Sequence, residues 1–231
     1  MAIRSLDDVE IRVVENPARE AASLLIVHAS AGGHIALSGG STPVAAYELA
    51  AQLNPDWGKA HVWFSDERAV PPGDSRSNYQ LVRMTLLDSL SRSPEVHRIR
   101  GERPVEEAAA LYDAELDGVT LDLALNGIGA DGHTASLFPA SPALAERERR
   151  AVAVEPGLEP FVPRVTMTPA VFAETGVLVY LVTGEAKAPA VKAAFADEPS
   201  PATPASGIRG RTTIAILDAA AASQLPDFSN S

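Results

Sequence analysis

The chain has 231 residues, a formal net charge of -11 and no cysteine. That length suits one sizeable core, so a single domain over residues 1–231 is expected. The acidic balance argues against nucleic-acid or anionic-membrane partners, and the absent thiols exclude disulfides, Cys-ligated zinc and thiol catalysis. No apolar run approaches membrane-spanning length and the N-terminus has no continuous apolar segment, which fits a soluble, cytoplasmic protein.

Period and punctuation predict a short strand over residues 11–14 and then a helix opening at Asn16 and Pro17. Asn as N-cap, Pro in the first turn and Gly32-Gly33 past the end fit that helix. A strand over 34–38 runs into Gly39, Gly40, Ser41, Thr42 and Pro43, after which VAAYELAAQL has helical apolar spacing. The unit repeats with a strand over 61–65, a long loop from Asp66 to Arg76 and a helix from near Ser77, which can cap it, to near Leu90. A strand over 96–100 and a helix over 104–116 follow. The stretch 121–139, LDLALNGIGADGHTASLFP, reads as an apolar strand feeding a glycine-rich loop. Further strands are predicted at 151–154, 164–167 and 177–182, a helix at about 185–196 and a last strand at 212–217. Residues 197–203 read as a loop, and the alanine run at 219–223 as a close-packing helix surface. Strands alternating with helices imply a mainly parallel α/β sheet flanked by helices.

In such a sheet ligands collect beyond the carboxyl ends of the strands, and the unusual residues fall in those loops. His133 can exchange protons near neutral pH and Asp131 can fix its tautomer; an ordinary turn histidine with a solvating aspartate is the other reading. The Gly39–Gly40–Ser41–Thr42 loop offers N–H groups and hydroxyls to a phosphate at a helix N-terminus, or is a plain capping turn. No lysine follows its glycines as a Walker loop requires. Arg164 and Lys187 can reach an anion at that loop or stay solvated on the surface, and the same choice applies to Asp66, Glu67 and Arg68. A G-x-S-x-G nucleophile elbow is absent. His28, His34, His61, His97 and His133 show no H-x-H or H-x-x-x-H spacing, so a zinc site would need an unusual assembly and no metal is expected.

Taken together, ALSGGSTP at 36–43, WFSDERAVPPGDSRSNYQ at 63–80, NGIGADGHTASLFP at 126–139, PRVTMT at 163–168 and VTGEAKA at 182–188 resemble the 6-phosphogluconolactonase family. That group also includes glucosamine-6-phosphate deaminase, and the resemblance implies its Rossmann-like fold. Deaminases usually read DEY in the third loop and carry a glutamate five residues past the histidine; here those positions are Arg68 and Phe138. The C-terminal PASGIRGRTTIAILDAAAA departs from the usual lactonase ending, where the final strand often carries a tryptophan.

The resemblance implies hydrolysis of 6-phospho-D-glucono-1,5-lactone in the oxidative pentose phosphate pathway. His133 would serve as general acid/base oriented by Asp131, and Arg68 would stabilise charge at the carbonyl oxygen. Gly39, Gly40, Ser41, Thr42, Asp66, Arg164 and Lys187 would bind the phosphosugar. The scheme calls for no metal or organic cofactor, and a monomer or small homo-oligomer suffices for it. A deaminase or isomerase on the same fold is the alternative enzyme, and a non-catalytic sugar-phosphate sensor the alternative class; this chain lacks the helix-turn-helix head or basic patch that a sensor would need.

Overall fold

The computed structural model describes residues 2–6 as backbone and residues 9–54, 56–157 and 161–226 in full. In chain order the strands and helices are β1 (Ala2–Leu6), β2 (Val9–Val13), α1 (Pro17–Ser30), β3 (His34–Leu37), α2 (Val44–Leu53), β4 (His61–Phe64), β5 (Asp66–Arg68) and α3 (Asn78–Thr85). They continue with β6 (Glu95–Val96), α4 (Val105–Glu115), β7 (Leu123–Asn126), β8 (Ala151–Val154), β9 (Arg164–Met167), α5 (Pro169–Glu174), β10 (Val177–Val182), α6 (Ala188–Phe195) and β11 (Thr212–Leu217). Asn16 caps α1 by accepting from the Arg19 N–H, and Ser77 caps α3 by accepting from the Gln80 N–H, as their sequence positions predict.

Eight strands form one sheet in the order β1-β2-β11-β10-β7-β3-β4-β6, antiparallel only between β1 and β2. All of β7 is buried, as are β3 and β4 after their first residues, which is why these segments read as unbroken apolar runs. α1 packs on β3, β7, β10 and β11 through Ala21, Ala22, Leu25 and Ala29, and α2 lies beside it. From β3 the chain winds outward through β4 to β6, then returns to β7 on the other side of β3 and proceeds through β10 to β11. The winding reverses between β3 and β7. In an open α/β sheet that reversal leaves a crevice at the carboxyl ends of the two strands, where ligands bind.

Two buried tyrosines pin the strand ends that border this crevice. The Tyr47 hydroxyl donates to the Ser38 carbonyl (2.7 Å), and the Tyr112 hydroxyl donates to the Phe64 carbonyl (2.9 Å). Each oxygen also accepts from the N–H of the same residue, so the last turn of each strand keeps both backbone partners.

Several expectations are corrected. The strands at 151–154 and 164–167 do not join the parallel sheet: β8 and β9 pair antiparallel with each other and with β5, in a separate sheet ordered β5-β9-β8. β5 itself lies in what reads as a loop, because three consecutive charged residues carry no strand pattern. The strand at 96–100 shrinks to Glu95–Val96, and the helices at 77–90 and 185–196 each divide into an α-helix and a 3-10 turn. The alanine run forms turns instead of a helix, with Asp218 at its start accepting from the Ala221 N–H (2.7 Å) and the Gly184 N–H (3.0 Å). Ala221 and Ala222 are nevertheless buried. Among the described residues no helix is long and apolar enough to cross a membrane.

Candidate active site

A cleft of about 240 Å³ opens at the β3/β7 reversal. Gly39, Gly40, Ser41, Thr42, Asp66, Arg68, His133, Arg164 and Lys187 all line it, so the structure gathers segments more than a hundred residues apart into one site. Asp131 stands behind His133 and does not itself line the cleft.

The loop after β3 leads directly into α2, whose N-terminus has no side-chain cap and no acidic residue in its first turn. The helix dipole and the first-turn N–H groups therefore face the cleft without competition from a carboxylate of their own turn. Gly39 is required here by close approach: a Cβ at this position would lie 1.9 Å from Asn78 Oδ1. Asn78 is a cleft residue that single-residue reasoning passed over, although it sits in the SNY element of the resemblance. Its Nδ2 donates to the Asp66 carbonyl and to Asp66 Oδ1, both at 2.9 Å.

The loop after β7 presents the histidine. His133 Nδ1 lies 2.5 Å from Asp131 Oδ1, and the His133 N–H donates to the same oxygen (3.2 Å). Burial pushes the Asp131 carboxyl up, but its hydrogen bonds to His133 and the charge of that ring prevail and hold it below its ordinary value. With the carboxylate ionised, the hydrogen of this contact lies on Nδ1, so Nε2 is the lone-pair nitrogen whenever the ring is neutral. The fold-back needs Gly129, where a Cβ would meet His133 Nδ1 at 2.1 Å and Asp131 Oδ1 at 2.6 Å. Ala135, also in the cleft wall, has a φ of 49°. That left-handed residue costs about 1–2 kcal/mol and is held by its neighbour Ser136, whose hydroxyl donates to Asp66 Oδ2 at 2.6 Å.

The antiparallel sheet supplies two arginines. β5 and β9 place Arg68 directly opposite Arg164. Burial pushes the Arg164 guanidinium below its ordinary value; Asp66 and Glu67 oppose this, and the like charge of Arg68 adds to it. A bound anion would relieve both the burial penalty and the repulsion. Glu67 underpins the strand and is itself buried. Its carboxylate accepts from the Arg68 N–H (2.7 Å), the Asn78 and Tyr79 N–H groups (2.8 Å each) and the Ser77 hydroxyl (2.8 Å). Burial pushes this carboxyl up, while the four donors and the start of α3 favour its charged form. Asp66 lines the cleft, yet its Oδ1 and Oδ2 are engaged by Asn78 and Ser136, which ties the histidine loop to β5 and α3. Lys187 follows β10 on a 3-10 turn and completes a cationic rim in a protein whose net charge is -11.

Phe138, five residues past the histidine, packs between the two chemistries. Its ring centroid is 5.0 Å from that of His133, and the Arg164 guanidinium carbon lies 5.4 Å from it.

Fold and site together define the class: a Rossmann-like α/β protein that presents a histidine–carboxylate pair and a cationic pocket at one sheet edge. The chain belongs to the glucosamine-6-phosphate isomerase/6-phosphogluconolactonase family, whose model matches residues 6–216. It is 38% identical over 189 residues to a 6-phosphogluconolactonase of Streptomyces coelicolor, covering 74% of this chain and 72% of that one. The solved 6-phosphogluconolactonase of Trypanosoma brucei is similar with a TM-score of 0.80 at 27% identity, over 96% of this chain and 100% of that one. A monomeric glucosamine-6-phosphate deaminase gives a TM-score of 0.82 at 19% identity, over 94% and 99% of the two chains, a likeness of fold.

Proposed function

We propose that this chain hydrolyses 6-phospho-D-glucono-1,5-lactone to 6-phospho-D-gluconate, a step of the oxidative pentose phosphate pathway, in the cytoplasm. The observation that carries this reading is the convergence of the His133–Asp131 pair with Arg68, Arg164, Lys187 and the uncapped start of α2 in one cleft. Lactone opening needs an activated water, charge stabilisation at a carbonyl oxygen and a proton for the departing ring oxygen, and the cleft has a group for each.

His133 Nε2 removes a proton from water as its oxygen bonds to the lactone carbonyl carbon. Arg68 stabilises the negative charge that develops on the carbonyl oxygen. The bond from that carbon to the ring oxygen then breaks, the carbonyl re-forms, and the imidazolium returns its proton to the departing oxygen. Asp131 keeps the ring in the required tautomer throughout and stabilises its charged form. Gly39, Gly40, Ser41, Thr42, Arg164 and Lys187 hold the phosphate, which fixes the reach of the sugar to His133. Asp66 acts by positioning, since its oxygens are committed to Asn78 and Ser136.

Phe138 separates this reading from deamination. An apolar ring packed against His133 supplies no carboxylate to relay a proton there. The deciding experiment generates the lactone in place with a coupled dehydrogenase and follows its disappearance with and without the protein. Acceleration over spontaneous hydrolysis is expected. No acceleration, with ammonia released from glucosamine 6-phosphate, would replace lactonase by deaminase.

A further inference from the structure

We propose that His61, Glu95 and His97 form a binding site for a divalent transition-metal ion, with Zn²⁺ the best match, at the opposite end of the strands from the cleft. The proposal is independent of the lactonase reading. Spacing along the chain hides this site, because the strand register assembles it.

His34 and His61 are the first residues of β3 and β4 and are register partners; His61 is in turn the partner of Glu95 in β6. Partners in a parallel ladder share a face, and the His97 N–H donates to the Val62 carbonyl (2.8 Å), extending the ladder past β6. Glu95 and His97, two residues apart, therefore lie on the same face as His61. The result is a convergent donor set. His61 Nδ1 is 3.1 Å from His97 Nε2, Glu95 Oε2 is 3.6 Å from His61 Nδ1, and Glu95 Oε1 is 3.7 Å from His97 Nε2. Two imidazole nitrogens bound tetrahedrally to zinc at about 2.0–2.1 Å lie roughly 3.3 Å apart, so the spacing present needs only a small adjustment.

The surroundings fix the tautomer that a metal needs. His97 Nδ1 is 2.8 Å from Glu115 Oε1, and a proton held there leaves the lone pair of Nε2 pointing at His61. A carboxylate behind a ligating histidine orients the ring and strengthens the ligand. Trp63 stacks on His97 with ring centroids 3.9 Å apart, and His34 stacks on His61 at 4.3 Å, so neither imidazole can turn away freely. Without an ion, the short contact between the two nitrogens requires one proton between them. The ion takes the place of that proton, which moves to His61 Nε2 or to solvent. Two imidazoles and one carboxylate, with a further position left for water, suit zinc, cobalt or nickel better than calcium or magnesium. Glu95 is 66% exposed and His61 31%, which gives the ion a way in from solvent.

Bound there, the ion would join β4 to β6, the two-residue strand at the margin of the large sheet. The test uses the full chain after chelator treatment, titrated calorimetrically with ZnCl₂ and spectroscopically with CoCl₂. Expected are one ion per chain, visible cobalt bands of a low-coordinate nitrogen and oxygen site, and a Tm that rises with zinc. His97→Ala should abolish all three, and Glu115→Gln should weaken binding by about 10- to 100-fold. Should His97→Ala not fold, the solvent-exposed Glu95→Gln decides, with at least a ~10-fold loss of affinity expected from removal of a ligand charge. Failure of the wild type to bind a stoichiometric ion overturns the proposal, as does undiminished binding by His97→Ala or Glu95→Gln.

Discussion

The large parallel sheet and the small antiparallel one meet at the same cleft but build their shares of it differently. The parallel sheet works through backbone: its strands end in glycine loops that expose the start of α2 and fold His133 back over Gly129. The antiparallel sheet works through side chains, with Arg68 opposite Arg164 and the Arg68 N–H held by the buried carboxylate of Glu67. The histidine–carboxylate pair is thus hung on one sheet and the two facing arginines on the other. Asp66 is the tie between them, since it holds Ser136 of the histidine loop and Asn78 of α3.

If that division is right, the largest kinetic loss comes from the parallel side. His133→Ala should lower kcat by about 10²- to 10⁴-fold with little change in KM, measured in the coupled assay. A variant turning over near the wild-type rate would move proton transfer elsewhere. Glu67→Gln breaks the other side through stability. An amide in place of this carboxylate keeps one acceptor and turns an NH₂ group toward donors that now bond to the carboxylate, a mismatch worth about 3 kcal/mol. The denaturation midpoint should fall accordingly, and an unchanged midpoint would show that the strand does not rest on this residue. Lys187→Ala, at the rim, should raise KM by about 10- to 100-fold with kcat nearly intact, the loss of one charge-assisted contact to phosphate. A fall in kcat with constant KM would place Lys187 at the reacting carbon instead.

The same contrast explains what could be read from the sequence. Glycines, caps and apolar runs report backbone, so the parallel units, the Asn16 and Ser77 caps and the cleft-lining loops were legible. Of the small sheet, β8 and β9 were legible as strands but β5 and the pairing were not, because DER carries the composition of a loop and becomes a strand only by pairing with a segment about a hundred residues away. Asn78 was missed for a related reason: its importance lies in reaching Gly39 and Asp66, contacts that no local pattern records. The alanine run misled in the opposite direction. Its residues are good helix formers, yet the run stays in turns even though Asp218 accepts from the Ala221 N–H as an N-cap would.

The smallest effect tests the joint within the parallel side, the Asp131–His133 pair. The folded-state pKa of Asp131 lies below its ordinary 3.8, a depressed carboxylate. Its contribution to stability is therefore fully present above the unfolded-state value and is lost as pH falls through the folded-state value. Comparing the wild type with Asp131→Asn by chemical denaturation from pH 5 downward should show a gap of about 0.2–1 kcal/mol, the range for a partly exposed pair. That gap should persist at pH 5, shrink once the pH drops below about 4, and close at still lower pH. A gap already absent at pH 5 would mean that the Asp131 carboxylate gains nothing from His133 in the folded chain, and would remove the support for Asp131 as the group that holds Nδ1–H and leaves the Nε2 lone pair to water.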